Sequence, residues 1–434
     1  MKAASTLLSA SALLFATGTA ALADEPAVAP APAAAPTPAP PPAADGKPVA
    51  QATESVGDVA PAPSVTPEAK PEEAVAATVT TPAASTPPVV VNAFASTSYS
   101  FNFNKPTSKV NGLRTFDDND RTLRLDGAEV VLQHAVADAN SFGFRLDVVA
   151  GAAIPRVEAS CGLFRPADET CPMTPGADID LQQAYVSYLA KDGLRFDVGK
   201  FVTHMGYEVI EGYDGYNDNY THSYLFGFSI PFTHTGLKIS RPFGDKVAAA
   251  LYVVNGWDNV KDNNDKPSIG AQVVITPNPM FQAYVNVIGG PERKDSNDLR
   301  NVFNLIFIAK PIDKTTLTLD TVFGTEANAA VADPVLMTTK TANWYGAAVY
   351  AKQQLTDSFA LTLRGEYFKD DGGARTGADT DLIGVTLTPA YAVASGFVVR
   401  GDVRFDKAGD KIFETDKDKK DTQVTAALNV VAAF

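Results

Sequence analysis

The stretch Phe397-Val-Val-Arg-Gly-Asp-Val-Arg-Phe-Asp406 decides the fold. Phe397, Val399, Gly401, Val403 and Phe405 occupy one parity; Arg400, Asp402, Arg404 and Asp406 occupy the other. Successive side chains of a strand point to opposite faces, so this segment has one apolar and one charged face. A 3.6-residue period would scatter the charges around a helix. The same alternation recurs elsewhere. Phe359, Leu361, Leu363, Gly365 and Tyr367 oppose Thr362, Arg364 and Glu366, and Phe142, Phe144, Leu146 and Val148 oppose Arg145 and Asp147. Leu194, Phe196 and Val198 oppose Arg195 and Asp197, and the terminal run carries Val424, Ala426, Leu428, Val430, Ala432 and Phe434 on one face.

Working outward, sixteen such segments begin near Phe94, Arg121, Ser141, Ile179, Gly193, Phe232, Lys246, Ser268, Met280, Leu299, Thr315, Ala342, Ser358, Thr380, Gly396 and Thr422. Two read poorly: Leu299–Pro311 is apolar on both faces, and Glu129 breaks the pattern of its strand. The connections alternate in length. Short ones such as Lys191-Asp192, Gly244-Asp245 and Thr356-Asp357 follow long ones such as Lys105–Asp120, Pro155–Asp178, Thr203–Pro231 and Thr325–Thr341. Seven short turns at one end and eight long loops at the other make an even-stranded antiparallel barrel with both termini on the short-turn side. That is the layout of an outer-membrane barrel, with short periplasmic turns and long external loops. A soluble barrel or sandwich would carry the same alternation with the apolar face inward, so alternation alone does not choose between them.

The N-terminal residues favour the membrane. Met1-Lys2, an apolar stretch over Ala10–Ala23 and the ending Ala21-Leu22-Ala23 before Asp24 form a secretory signal, residues 1–23. Residues 24–88 hold sixteen of the thirty prolines and no aromatic residue. Such a segment cannot bury enough apolar surface to offset its ordering entropy, and reads as a disordered, partly polyproline-like periplasmic linker. Residues 89–434 are the barrel region. Tyr99, Trp257, Trp344, Tyr345, Tyr350 and Tyr367 lie near strand ends, where aromatic girdles sit. The formal charge of −14 excludes a basic nucleic-acid-binding surface.

The barrel region resembles the OmpL-like outer-membrane porins. The resemblance is carried by FDDND at 116–120, GFRLDV at 143–148, LQQAYVSYLA at 181–190, FDVGKF at 196–201, VNGWDN at 254–259 and, most specifically, YLFGFSIPFTHTGLK at 224–238. It implies a channel for small hydrophilic solutes in outer-membrane lipid, and Phe434 looks like the terminal signal read by the outer-membrane assembly machinery. Sixteen-stranded porins are commonly trimeric, so the resemblance also raises a homotrimer.

Arg-x-acid pairs mark the charged faces: Arg124/Asp126, Arg145/Asp147, Arg195/Asp197, Arg364/Glu366, Arg400/Asp402 and Arg404/Asp406. In a membrane barrel each pair stands on the lumen wall, because a midplane Arg on the lipid face costs ~2–4 kcal/mol. By resemblance to general sixteen-stranded porins, the loop Thr203–Pro231 folds into the lumen. Its Glu208, Glu211 and Asp214 would then face Arg124, Arg145 and Arg195 across a constriction. Cys161 and Cys171 suit a short-loop disulfide in an exported chain. The acidic loops Asp258–Asp265 and Asp214–Asp218 lack the spacing of a calcium motif. No cofactor or metal is expected. Neither G-x-S-x-G nor H-E-x-x-H occurs around His134, His204, His222 and His234, so an enzyme is not expected. The alternatives to a porin are a structural outer-membrane anchor tethered toward the cell wall and a barrel hydrolase.

Overall fold

The computed structural model describes residues 88–136, 138–154, 179–294, 296–333 and 338–434. Cys161 and Cys171, the signal and most of the Ala/Pro segment lie outside them. The chain runs β1 (Val90–Asn102), β2 (Thr122–His134), β3 (Ser141–Ala150), β4 (Ile179–Leu189), β5 (Arg195–Val202) and β6 (Thr233–Phe243). It continues through β7 (Val247–Val254), β8 (Ser268–Asn278), β9 (Phe281–Pro291), β10 (Leu299–Ala309), β11 (Thr315–Asp333) and β12 (Thr338–Gln354). Then follow β13 (Phe359–Asp371), β14 (Thr380–Ala394), β15 (Phe397–Ala408), the small hairpin β16 (Phe413–Glu414) and β17 (Lys419–Lys420), and β18 (Thr422–Ala433).

Sixteen of these strands form one closed barrel, each paired antiparallel with its chain neighbours, and β16 and β17 pair separately within the last long loop. Closure joins β1 to β18 in register from Phe94↔Ala433 to Asn102↔Thr425. The ring has no free edge, the condition for spanning a bilayer with strands.

The orientation of the faces decides which kind of barrel this is. Val403 is 55% exposed while the neighbouring Arg404 is 0% exposed. The same holds around the ring. Leu363, Val349, Phe323, Phe303 and Val198 point outward, whereas Arg364, Asp320, Asn304 and Asp197 are buried within. An apolar exterior around a charged interior inverts the soluble arrangement and matches a lipid-facing wall.

Two bulges explain irregular strands. The β1–β2 register shifts between Ser96 and Thr97, so Asp126 is the extra residue on β2. The shift moves the parity beyond it, and Arg124, Asp126 and Glu129 are all buried while Leu125 and Val130 are exposed. Glu129 therefore obeys the alternation of a strand that has been re-phased. A second bulge places Gln182 and Gln183 together inside the β3–β4 pair. The apolar inner face of β10 has a different cause: Val302, Ile306 and Ile308 pack in one buried cluster with Met205 and Tyr207.

Two expectations are corrected. Most of Thr325–Thr341 is strand, because β11 and β12 extend over 19 and 17 residues. A membrane strand needs only about 9–11, so this hairpin is longer than a bilayer requires. Of the six girdle aromatics, Tyr99, Tyr345 and Tyr367 are exposed, but Trp257, Trp344 and Tyr350 are buried. Trp344 adjoins Tyr345, so alternation allows only one of them to face lipid. Gly324, opposite Trp344 in the β11–β12 pair, leaves room for the indole; a Cβ there would sit 2.0 Å from Trp344 Cε2.

Candidate functional site: the inserted loop and the lumen wall

The loop between β5 and β6, residues 203–232, lies inside the barrel. Its backbone and side chains bond to lumen-facing groups around most of the ring. Asn304 on β10 accepts from Gly206 N at 3.0 Å and Asp320 on β11 from Tyr207 N at 3.1 Å. Glu129 on β2 accepts from Tyr213 N at 2.6 Å. Asp402 on β15 accepts from Tyr220 N, Thr221 N and Thr221 Oγ1. Glu366 on β13 accepts from Tyr224 N at 2.5 Å. These inward acceptors, the carboxylates of Asp320, Glu129, Asp402 and Glu366 and the amide oxygen of Asn304, satisfy donors of the loop from the wall.

The loop's acids complete the fastening. Glu208 Oε1 is 2.8 Å from Arg364 Nη1 and accepts from Tyr350 Oη at 3.0 Å. Glu211 receives a two-pronged contact from Arg400 at 2.8 and 2.9 Å. Asp214, at the loop tip, meets Arg145 Nη2 at 2.7 Å. Only this last pairing matches the sequence expectation. Glu208 and Glu211 reach Arg364 on β13 and Arg400 on β15. Arg124 instead bonds Asp126 and Asp118, and Arg195 bonds Asp197. Parity and strand order place each arginine on the lumen wall, but the path of the loop across the lumen is not written in any local pattern, so the partners could not be assigned.

Five of the six Arg-x-acid pairs close on the wall: Arg124–Asp126 at 2.7 Å, Arg145–Asp147 at 2.8 Å, Arg195–Asp197 at 2.9 Å, Arg364–Glu366 at 3.4 Å and Arg404–Asp406 at 2.8 Å. Asp402 turns to the loop and to Thr388 instead. Arg404 also reaches Glu366 at 3.1 Å, and Arg114 bridges Asp406 and Asp117 at 2.5 Å each. Arg114 belongs to a second inward loop, residues 103–121, which the sequence marked as a long connection but did not place in the lumen. The ring of Phe116 in this loop packs against His222 and Phe226 at a tilt and against Phe232 edge-on.

The far end of the inserted loop is apolar. Tyr224, Leu225, Phe226 and Ile230 are buried, and Leu225–Ser229 forms a single π-helical turn. Trp344 Nε1 donates to Ser229 O at 3.1 Å and Arg375 Nε to Phe228 O at 2.6 Å. The Arg375 guanidinium lies 4.7 Å from the Trp257 ring and 5.3 Å from that of Trp344. Asp258 accepts from Phe232 N and Thr233 N, and Glu292 from Trp257 N and Ser268 Oγ. Burial pushes the Asp258 carboxyl up to about 6 and that of Glu292 up to about 7, and lowers Arg375 to about 10. The stretch 224–238 that carried the most specific resemblance is thus the anchored end of the loop and the start of β6.

The histidines serve packing and hydrogen bonding. His204 stacks on Tyr252 with ring centroids 4.0 Å apart, His222 contacts Asn217 and Val209 O, and His234 contacts Thr203 Oγ1 and Gly256 O.

With this geometry, similarity to known proteins can be placed. Among solved structures, the fold is similar to the outer-membrane channel DcaP of Acinetobacter baumannii, with a TM-score of 0.53 at 9% identity over 80% of this chain and 97% of that one. It is likewise similar to the anion-selective porin of Comamonas acidovorans, with a TM-score of 0.51 at 11% identity, covering 80% and 99% of the two chains. OmpT of Vibrio cholerae gives a TM-score of 0.50 at 12% identity, covering 81% and 99%. At such identities the likeness is one of fold. No curated protein matches the sequence. The profile of the family described as "Putative beta-barrel porin-2, OmpL-like" matches residues 88–434, the whole of the barrel, and the chain therefore belongs to this family of outer-membrane porins.

Proposed function

We propose that this porin is a passive diffusion channel for small hydrophilic solutes or ions, narrowed by the inserted loop. The observation that carries this reading is the closed ring with an apolar exterior and a charged interior. Such a wall suits lipid outside and water inside. The loop is held to the wall by ion pairs, yet the tip residues Tyr213, Asp214 and Tyr216 keep contact with water, as do Arg145, Arg195 and Lys238 on the facing strands. Glu208 and Glu211 act here as fasteners, and Asp214 with Arg145 as the pair bordering the path.

The test is single-channel recording from refolded barrel in a planar lipid bilayer. Discrete conductance steps support the channel, and silence from verified, folded protein overturns it. The Ala/Pro segment 24–88 leads into the short-turn end of β1, which supports reading it as a periplasmic linker after a cleaved signal. Phe434, whose backbone bonds to Ala93 in both directions, is the residue we assign to recognition by the assembly machinery. A Cys161–Cys171 disulfide is proposed for the loop after β3, checked by peptide masses with and without reductant.

A further inference from the structure

The inserted loop leaves the lumen unevenly filled. Lumen-facing side chains of β13, β14, β15 and β18, such as Arg364, Thr388, Arg404 and Asn429, have no accessible surface. On β3, β5 and β6 three cationic side chains, Arg145, Arg195 and Lys238, stay partly open while the carboxylates beside them are covered. Arg145 is 11% exposed, but its wall partner Asp147 is 0% exposed. Arg195 is 23% exposed and Lys238 16%, while Asp197, which both approach at 2.9 and 3.7 Å, is 3% exposed. The register places these groups side by side, since Asp197 pairs with Lys238 and Arg195 with Ser240 across β5–β6. The cationic ends therefore stand toward the open side and the carboxylates behind them. On the loop side the exposed acid is Asp214, 56% exposed and joined to Arg145.

We propose that the solute path runs down this side of the barrel, against β3–β6, and that it prefers small singly charged anions, inorganic or carboxylate. The proposal rests on the channel reading above. A fixed charge close to a permeating ion weighs more than a shielded one of opposite sign behind it, because Coulomb energy falls with distance and the intervening low-dielectric wall focuses the field. Arg145, Arg195 and Lys238 outnumber Asp147 and Asp197 on the wall, Asp214 of the loop balances the excess, and the wall is cationic at the surface a solute meets.

The experiment is the reversal potential of the refolded chain in a bilayer under a potassium chloride gradient, with three variants. The unsubstituted channel is expected to favour chloride. The double variant Arg195→Gln/Lys238→Gln leaves Asp197 and Asp214 facing the path, and its reversal potential is expected to change sign. Ser240→Cys, opposite Arg195 and half-buried, should lose conductance on treatment with an anionic thiosulfonate. Thr388→Cys, walled off by Asn219 of the loop, should not respond. The unsubstituted chain, with Cys161 and Cys171, sets the background. If the double variant does not fold, the two cysteine variants still report the path. Potassium preference in the unsubstituted channel, an unchanged sign in the folded double variant, or block at Thr388→Cys with none at Ser240→Cys overturns the proposal and leaves the channel reading standing. Absence of any conductance overturns the channel reading and this proposal with it.

Discussion

Arg364 and Arg400 are large charged side chains with no accessible surface, held at the contact between loop and wall. Their charge is tolerable there because Glu208 and Glu211 lie within 2.8 Å. Removing one partner of a buried pair leaves the other uncompensated, at a cost of about 3–5 kcal/mol. Glu208→Gln and Glu211→Gln should each loosen the loop by an amount of this order. Single-channel recordings should then show larger or noisier conductance than the unsubstituted protein; unaltered, quiet channels would mean that the loop is held by its other contacts. A matching change at Asp214 should do less to the loop, since that carboxylate is exposed and its pair with Arg145 is screened. At this scale the sequence was informative about chemistry and uninformative about partners. Spacing placed Arg400 and Asp402 on the same face, but whether an acid would meet its neighbour on the strand or a loop backbone crossing the barrel depends on the path of residues 203–232, which no local pattern encodes.

Among the elements, the strands were legible because a membrane barrel writes its two environments into alternate residues. Every expected start lies within four residues of an observed strand, as with Ser141, Ser268 and Thr380, which coincide, and Ala342, where β12 begins at Thr338. The segments that read badly did so for local reasons, a bulge at Asp126 and a lumen-facing apolar patch on β10 that receives Met205 and Tyr207. The inserted loop depends on a second group of elements, the loops around Trp257, Glu292 and Arg375. The chain has two tryptophans, Trp257 and Trp344, and both touch Arg375. Arg375→Ala removes two cation–π contacts, worth ~0.5–2 kcal/mol each, and the bond to Phe228 O. Intrinsic emission should shift to the red as the indoles gain water; an unshifted spectrum would show that the cluster holds without the guanidinium. The same emission reports pH. Glu292 holds its proton to about pH 7 in the folded protein, well above an ordinary glutamate. Stability from this group is present below its unfolded value and is lost as pH rises through about 7. The denaturation midpoint read from tryptophan emission should therefore fall across that window, and Glu292→Gln should flatten the fall. A wild-type profile with no such slope would remove Glu292 as its origin.

For the molecule as a whole, the barrel is specified by pattern, whereas we propose that residues 24–88, with sixteen prolines and no aromatic residue, act as a tether. Deleting Asp24–Pro88 behind an intact signal should leave conductance unchanged. If the linker also reaches the cell wall, the same deletion should make cells more sensitive to detergent. Lost conductance would instead show that the barrel needs the segment to fold.

The pairing of β1 with β18 carries a further consequence. Phe94 and Ala433 are neighbours in space and lie at opposite ends of the barrel sequence. Every other strand pair is local, so most of the ring can zip between chain neighbours, but the final seam has the largest sequence separation that the topology allows. Loop-closure entropy makes such a contact slow to form and late to be rewarded. Until it forms, the sheet has two open edges able to pair with another chain. A ring that closes only through its last strand has no stable shorter version, so the chain has to be shielded from its own kind until β18 is in place.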